Sequence, residues 1–438
     1  MNKFQNSKEF GEVVKHLNNK SFDKALKIIN SIAHKYQDDQ IILKMFASIY
    51  FNKLEWEKAI TYYKKILTFE KHKFKILLNI GVALYKLGKI NKSIEAFKDA
   101  IDDNPNFDIT HDNLGISYLE IAKFDEAIKC FSLALKINKN NLNAQRHLIN
   151  ILSLAKPKEN NNNSIIKLDK KISNLTKDLK IKNLVDEENI RIILDKSINL
   201  INKYKEDIIF NETQLFKKNS KNLNCQRHFK VFNKFNIIPK FCFSCYKIQV
   251  NTINVVDLIK LSFLFKNLEL KNNNTRKCIV EIRNQVSGNY KGYIYCEGIE
   301  DAKNIFELVK KETKQANLNS LNINIKHGCS EFYKPYPKFE KLNFNKKEEM
   351  TYNEKWKAKE ELIDNEEPSR IKIDKKVWAA TLEEVSLSDI LIINNWLNYA
   401  DFIGDFSYKK IFSEKIHSAY MEKILTDQIG FRKKNLVI

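Results

Sequence analysis

The sequence predicts an α+β protein: an N-terminal α-helical solenoid, a compact β-α-β-β-α-β domain behind it, and a helical tail. Three observations carry this. Small and apolar residues recur in columns 34 residues apart over the first third of the chain. Beyond residue 220 the apolar pattern changes from helical spacing to short strand-like runs. Near the C-terminus a strongly apolar helical stretch appears, "SLSDILIINNWLNYADF".

The repeat comes first along the chain. Ala25, Ala59, Ser93 and Ala127 are 34 residues apart, as are Phe22, Trp56, Ile90 and Phe124 ahead of them. Ile29, Tyr63, Phe97 and Phe131 follow one helical turn after each small residue. The preceding helix repeats too, in Phe46-Ala47, Ile80-Gly81 and Leu114-Gly115, then Tyr50, Leu84 and Tyr118. A small side chain is needed where two antiparallel helices approach closely, and large rings beside it fill the remaining space. Residues 9–140 therefore form four helical hairpins. A further helix, Leu142 to Ala155, is expected to close the array with a solvated face, giving a first domain over residues 1–156.

This pattern resembles the tetratricopeptide repeat family, most closely in "NIGVALYKLGKINKSIEAFKDAIDDNP", Asn79 to Pro105. The first unit departs most, with Glu12-Val13 where Leu-Gly is usual. The resemblance implies a concave groove lined by the first helix of each hairpin. Its positions fall on Phe10, Val14, Leu17, Ile41, Lys44, Phe51, Asn52, Lys75, Leu78, Val82, Tyr85, Ile109, Asp112, Ile116 and Leu119. The family's asparagine clamp for a C-terminal carboxylate is replaced by Val14, Ser48, Val82 and Ile116. The implied partner is a protein or peptide presenting an amphipathic helix, from another molecule or from this chain's own linker.

That linker, residues 164–220, carries two helical stripes. One is Ile165, Leu168, Ile172, Leu175 and Leu179; the other is Ile190, Ile193, Leu194, Ile198 and Ile201. The third domain spans residues 221–333. Strand-like runs are expected at Cys245 to Val250, Lys277 to Arg283, Gly292 to Cys296 and Leu321 to Lys326. Helices are expected at Val255 to Leu268 and Glu300 to Ala316, with a hairpin at Ser287-Gly288-Asn289. This order is that of a ferredoxin-like plait, a fold that implies no single function.

Six of the seven cysteines fall in this segment. Cys225-Gln-Arg-His228 and Cys242-Phe-Ser-Cys245 have the paired spacing of a zinc ribbon, so Cys225, His228, Cys242 and Cys245 are candidate ligands for one structural zinc. His327-Gly-Cys329 is a substitute pair, and an iron–sulfur cluster is the variant reading. Against these stands the plain reading that the thiols are reduced core residues, as expected of Cys278 and Cys296 inside strands. A second candidate face is "KGYIYC", where Lys291, Tyr293 and Tyr295 are similar to the central motif of RNA-recognition modules. Enzyme motifs are missing: there is no P-loop, dinucleotide glycine pattern or nucleophile elbow. Cys242 with His228 or His327 leaves a thiol site as a third reading. Arg276, Glu281, Arg283 and Glu331 near strand ends read as solvated charge.

Residues 334–375 are expected to be a polar connector. The C-terminal segment, residues 376–438, is helical, opened by Ser386 and Asp389 in capping-box style, and too apolar to stay unburied.

At 438 residues, two or three domains are expected. Hydrophobic content of 43% and charged content of 29% are those of a folded chain. Seventy-five Lys and Arg against 54 Asp and Glu leave a net charge of +21. Lysine greatly outnumbers arginine and the excess is spread along the whole chain, which fits a general coding bias better than a nucleic-acid surface. No long apolar run or secretory signal is seen, and a cytoplasmic location is expected. The functional expectation is a protein-interaction scaffold; an RNA-associated protein is the alternative, and an enzyme with a thiol or metal site in the central cysteine cluster is the third reading.

Overall fold

The computed structural model describes residues 5, 7–36, 39–158, 161–178, 185–204, 208–219, 223–282, 288–318, 321–340, 350–366, 380–412, 415–416 and 422–427. Leu179, Arg283, Ser287 and residues 341–349 and 367–375 of the connector lie outside these residues. The chain divides into two compact units. One holds the residues up to Ala144, and the other runs from Gln145 to Glu366 and includes the described C-terminal residues.

Among the described residues the first unit has eight α-helices: α1 (Lys8–Asn18), α2 (Phe22–Ile32), α3 (Gln40–Asn52), α4 (Trp56–Leu67), α5 (Phe74–Lys86), α6 (Ile90–Asp103), α7 (Asp108–Glu120) and α8 (Phe124–Ile137). They pack as the four consecutive hairpins the columns required. Ala25, Ala59, Ser93 and Ala127 are fully buried, and the Ser93 and Ser117 hydroxyls lie 3.2 Å apart between α6 and α7. Phe97 and Phe131 press against Gly81 and Gly115; a Cβ added at Gly81 would sit 2.4 Å from Phe97 Cε1.

The turns inside the hairpins repeat with the same period. Lys20, Leu54, Gly88 and Ala122 all adopt positive φ, between 54° and 68°. The next residue in each turn donates its N–H back to a carbonyl five positions earlier: Ser21 to His16, Glu55 to Tyr50, Lys89 to Leu84 and Lys123 to Tyr118. These are Schellman-type helix ends, in which a left-handed residue satisfies the last carbonyls. Only the third repeat supplies the glycine that the conformation favours.

In the second unit, α9 (Leu142–Leu152) is not a solvated cap. Leu148, Ile149, Ile151 and Leu152 are at most 1% exposed. Gln145 Oε1 accepts from the Ile209 N–H at 2.8 Å, and the Ser153 carbonyl accepts from the Leu382 N–H at 2.9 Å. The expected linker belongs to this unit: α10 (Ser164–Asp178) and α11 (Glu187–Asn202) pack on each other and on a late helix, Leu387–Ile403.

A five-stranded antiparallel sheet follows, made of β1 (Gln214–Lys217), β2 (Cys245–Thr252), β3 (Arg276–Val280), β4 (Tyr290–Glu297) and β5 (Asn322–His327), in the order β1-β3-β4-β2-β5. β1 is an edge strand absent from the expected order. Between strands stand α12 (Cys225–Phe235), α13 (Val255–Asn267) and α14 (Ile299–Gln315). α13 and α14 pack on the sheet; Gly292 faces α13, where a Cβ would meet Leu261 Cδ2 at 2.7 Å. The described residues of the connector include the α-helices α15 (Pro337–Glu340) and α16 (Lys357–Glu366). Arg227 on α12 fixes α16, donating from Nε and Nη2 to the two Asp364 oxygens at 2.6 and 2.8 Å and from Nη1 to Glu360 at 2.8 Å.

The late helix is α17 (Leu387–Ile403), and it is the central support of this unit. Its capping box is formed: the Asp389 N–H donates to Ser386 Oγ, and the Ser386 N–H to Asp389 Oδ2. Trp396 Nε1 donates to the Thr213 carbonyl at 2.8 Å, and the Tyr399 hydroxyl to the Glu281 carbonyl at 2.9 Å. A helix apolar around most of its circumference must be enclosed. Here α10, α11, α13 and β1 enclose it. Among the described residues no helix is long and apolar enough to cross a membrane.

Candidate functional site

The groove positions sit on α1, α3, α5 and α7. Phe10, Val14, Leu17, Ile41 and Phe51 are half-buried and pack against the core of the first two hairpins. Leu78, Val82 and Tyr85 do the same against the core of the next two. Ile116 and Leu119 are half-buried, Lys44, Asn52, Lys75 and Ile109 are exposed, and Asp112 is buried. Polar contacts also involve groove positions directly. The Tyr85 hydroxyl donates to Glu120 Oε1 at 2.8 Å, tying α5 to α7, and Lys44 pairs with Glu70 at 2.6 Å. Phe51 meets the edges of Trp56 and Tyr63, with centroids at 5.3 and 6.1 Å. Such half-buried aromatic and aliphatic side chains can take an apolar partner surface without unfolding the hairpins that hold them.

The proposed zinc ligands are placed differently from the spacing argument. Residues 225–228 are the first turn of α12, so Cys225 and His228 lie one helical turn apart and not on a loop. His228 is buried and stacks on Phe241 at 5.0 Å; burial, with the Arg227 charge beside it, lowers its pKa from 6.5 to about 4. Cys242 packs among Ile238, Phe332 and Phe339, and burial raises its thiol pKa. Burial likewise pushes Cys245 up to about 11. His327 is committed elsewhere: Nδ1 is 2.9 Å from the Phe339 carbonyl and Nε2 is 3.1 Å from that of Phe243. Among the described residues, no group of three or more His, Cys, Asp or Glu side chains is arranged to hold a metal ion. Cys278 and Cys296 are buried in their strands, and all seven cysteines are free thiols.

Of the aromatic-strand residues, Lys291 is 2% exposed and its ammonium lies 3.5 Å from Glu281 Oε2, so it is not a surface lysine. Tyr293 and Tyr295 are half-buried on the sheet face opposite Gly292. The register adds residues the motif did not include. Lys247 is paired with Tyr295 and its ammonium is 5.3 Å from that ring; Lys277 is paired with Tyr293 and lies 5.7 Å from its ring and 5.5 Å from Phe216. Lys247 Nζ also donates to Cys329 Sγ at 3.0 Å. Strict alternation in Cys245–Asn251 was the available signal for Lys247; Phe216 had none, because its four-residue strand exists only by pairing with β3.

Comparison with known proteins gives matches to the helical array. Residues 74–107 and 110–141 match the tetratricopeptide repeat family model. The anaphase-promoting complex subunit CDC16 of Saccharomyces cerevisiae (strain ATCC 204508 / S288c) is 31% identical over 124 residues, which is 27% of this chain and 15% of that protein's length. Among solved structures, MamA is 18% identical with a TM-score of 0.30, covering 32% of this chain and 81% of its own. Pseudomonas aeruginosa pilF is 18% identical with a TM-score of 0.30, covering 33% and 66%. The small-residue columns, the glycine–aromatic contacts and the family match agree, and the N-terminal helical array of this chain is a tetratricopeptide-repeat segment, matched directly over residues 74–107 and 110–141.

Proposed function

We propose that the protein is an interaction scaffold whose repeats hold an amphipathic helix of a protein partner in the groove lined by Phe51, Leu78, Val82, Tyr85, Ile116 and Leu119. The observation that carries this is the half-burial of these side chains on consecutive first helices, together with the missing asparagine clamp. The relative CDC16 is by name a subunit of a larger complex, which fits an assembly role. A cytoplasmic setting agrees with seven free thiols. The sheet unit reads as a ferredoxin-like plait with one added edge strand, supported by the order β3-β4-β2-β5 and by two helices in the connections β2-α13-β3 and β4-α14-β5. The test is fluorescence anisotropy with a panel of amphipathic helical peptides against the full chain. Val82→Glu and Tyr85→Ala, with circular dichroism unchanged, should lose the binding. Equal affinity of wild type and variants, or preference for a free C-terminal carboxylate, would overturn the reading.

A second reading rests on one specific feature, the lysines set over Tyr293, Tyr295 and Phe216 on one sheet face. Rings interleaved with cations are what single-stranded RNA requires for stacking and phosphate contact. Filter binding with single-stranded RNA, and its loss in Tyr293→Ala/Tyr295→Ala, tests it.

A further inference from the structure

Arg276, at the start of β3, is 2% exposed, and among the described residues its Nε and Nη1 have no hydrogen-bond partner. A guanidinium carries five donors and keeps its charge, so two unsatisfied N–H groups in the interior leave a strong demand for an acceptor. The side chain lines a cavity with room for the centre of one water-sized particle, about 10 Å³, walled also by Lys217, Lys266, Ser262, Thr381 and Phe265. Both lysines are buried as well. Lys217 pairs with Glu383 at 2.5 Å and Lys266 with Asp389 at 2.5 Å. Among the described residues three cations thus meet two carboxylates, Glu383 acting on both Lys217 and Arg276, and one positive charge is left beside the guanidinium whose N–H groups are unmatched. Thr381 Oγ1 accepts from the Lys218 N–H at 2.9 Å, so its own hydroxyl proton can be donated into the space.

We propose that this cavity binds one monovalent inorganic anion of chloride size, held by the Nε–H and Nη1–H of Arg276 with Thr381 and the two lysines completing the wall. The charge balance calls for one negative charge, and a small cavity offering two N–H donors and a hydroxyl suits a monatomic ion better than a tetrahedral oxyanion or an organic acid. A water molecule would accept the two N–H bonds but leave the charge uncompensated. The ion joins β1, β3, α13 and the entry to α17, so its binding favours the folded state by mass action.

The test uses the full chain, unfolded thermally at constant ionic strength in sodium isethionate with increasing sodium chloride or bromide. Chloride at ten times its dissociation constant should raise the folding equilibrium constant about tenfold, moving Tm by about 2 °C. Bromide should act alike, and phosphate should add nothing. Arg276→Met should abolish the response, and Thr381→Val should weaken it if the first variant does not fold. Chloride-35 line broadening by the wild-type protein, reversed by bromide, gives a reading that needs no variant. Identical Tm in chloride and isethionate, no line broadening, or an unchanged response in Arg276→Met would each overturn the proposal in favour of a buried water.

Discussion

Gly81 lies so close to the ring of Phe97 that a Cβ at this position would stand 2.4 Å from Cε1 and 2.6 Å from Cδ1. The ring is 1% exposed and enclosed by its own hairpin, so it cannot swing aside cheaply. Gly81→Ala should therefore cost about 1–3 kcal/mol of stability, measured by urea unfolding. In a Phe97→Leu background the same substitution should cost at least about 0.5 kcal/mol less, because the two residues share one volume. Strict additivity would contradict the close-packing account.

Leu54 tests the turn between α3 and α4. It holds φ at 62° with its side chain 64% exposed, so it contributes strain and little burial. Leu54→Gly should raise stability by about 1 kcal/mol, as should Ala122→Gly at the equivalent turn. A lower Tm for both variants would show that these turns are not held in the left-handed region.

Asp389 carries two duties, the α17 capping box and the buried pair with Lys266 at 2.5 Å. Asp389→Ala should cost about 3–5 kcal/mol by leaving a buried ammonium without its partner. In a Lys266→Met background the penalty should shrink to the capping loss, about 1 kcal/mol. Equal penalties in both backgrounds would place the ion pair outside the energetics of the fold.

His228 gives the pH dependence a direction. Its folded pKa of about 4 lies below its ordinary 6.5, so the unfolded state binds the proton first. The contribution of His228 is therefore constant above pH 6.5 and is lost as pH falls toward 4, by roughly 3 kcal/mol in total. His228→Phe keeps a ring against Phe241 and should remove this part of the acid limb. The same variant distinguishes a packed histidine from a metal ligand, because a lost ligand would lower Tm strongly at neutral pH, whereas replacing one packed ring by another would change it little.

How far the sequence reached depended on the range of the interaction. The repeat was legible because its restraint is local and recurs four times: a small residue and a ring one helical turn apart each face the neighbouring helix. Chain order alone also indicated four of the strands and the helices α13 and α14. By contrast, β1 and α16 were not legible. β1 is held by pairing with β3, and α16 by Arg227, which lies over 130 residues away in sequence.

The sequence by itself determined the helical array, its 34-residue period and the apolar character of the last helix, because periodicity encodes which face of an element must be buried. Tertiary structure alone decided what those faces meet. It placed α10 and α11 against α17, turned the Cys225–His228 pair into a helical turn, buried Lys291 against Glu281, and brought Lys217, Lys266 and Arg276 to one cavity. Spacing specifies which residues are neighbours along an element, while the cost of burying charge and the fit of side chains across elements are settled only when the chain has closed on itself.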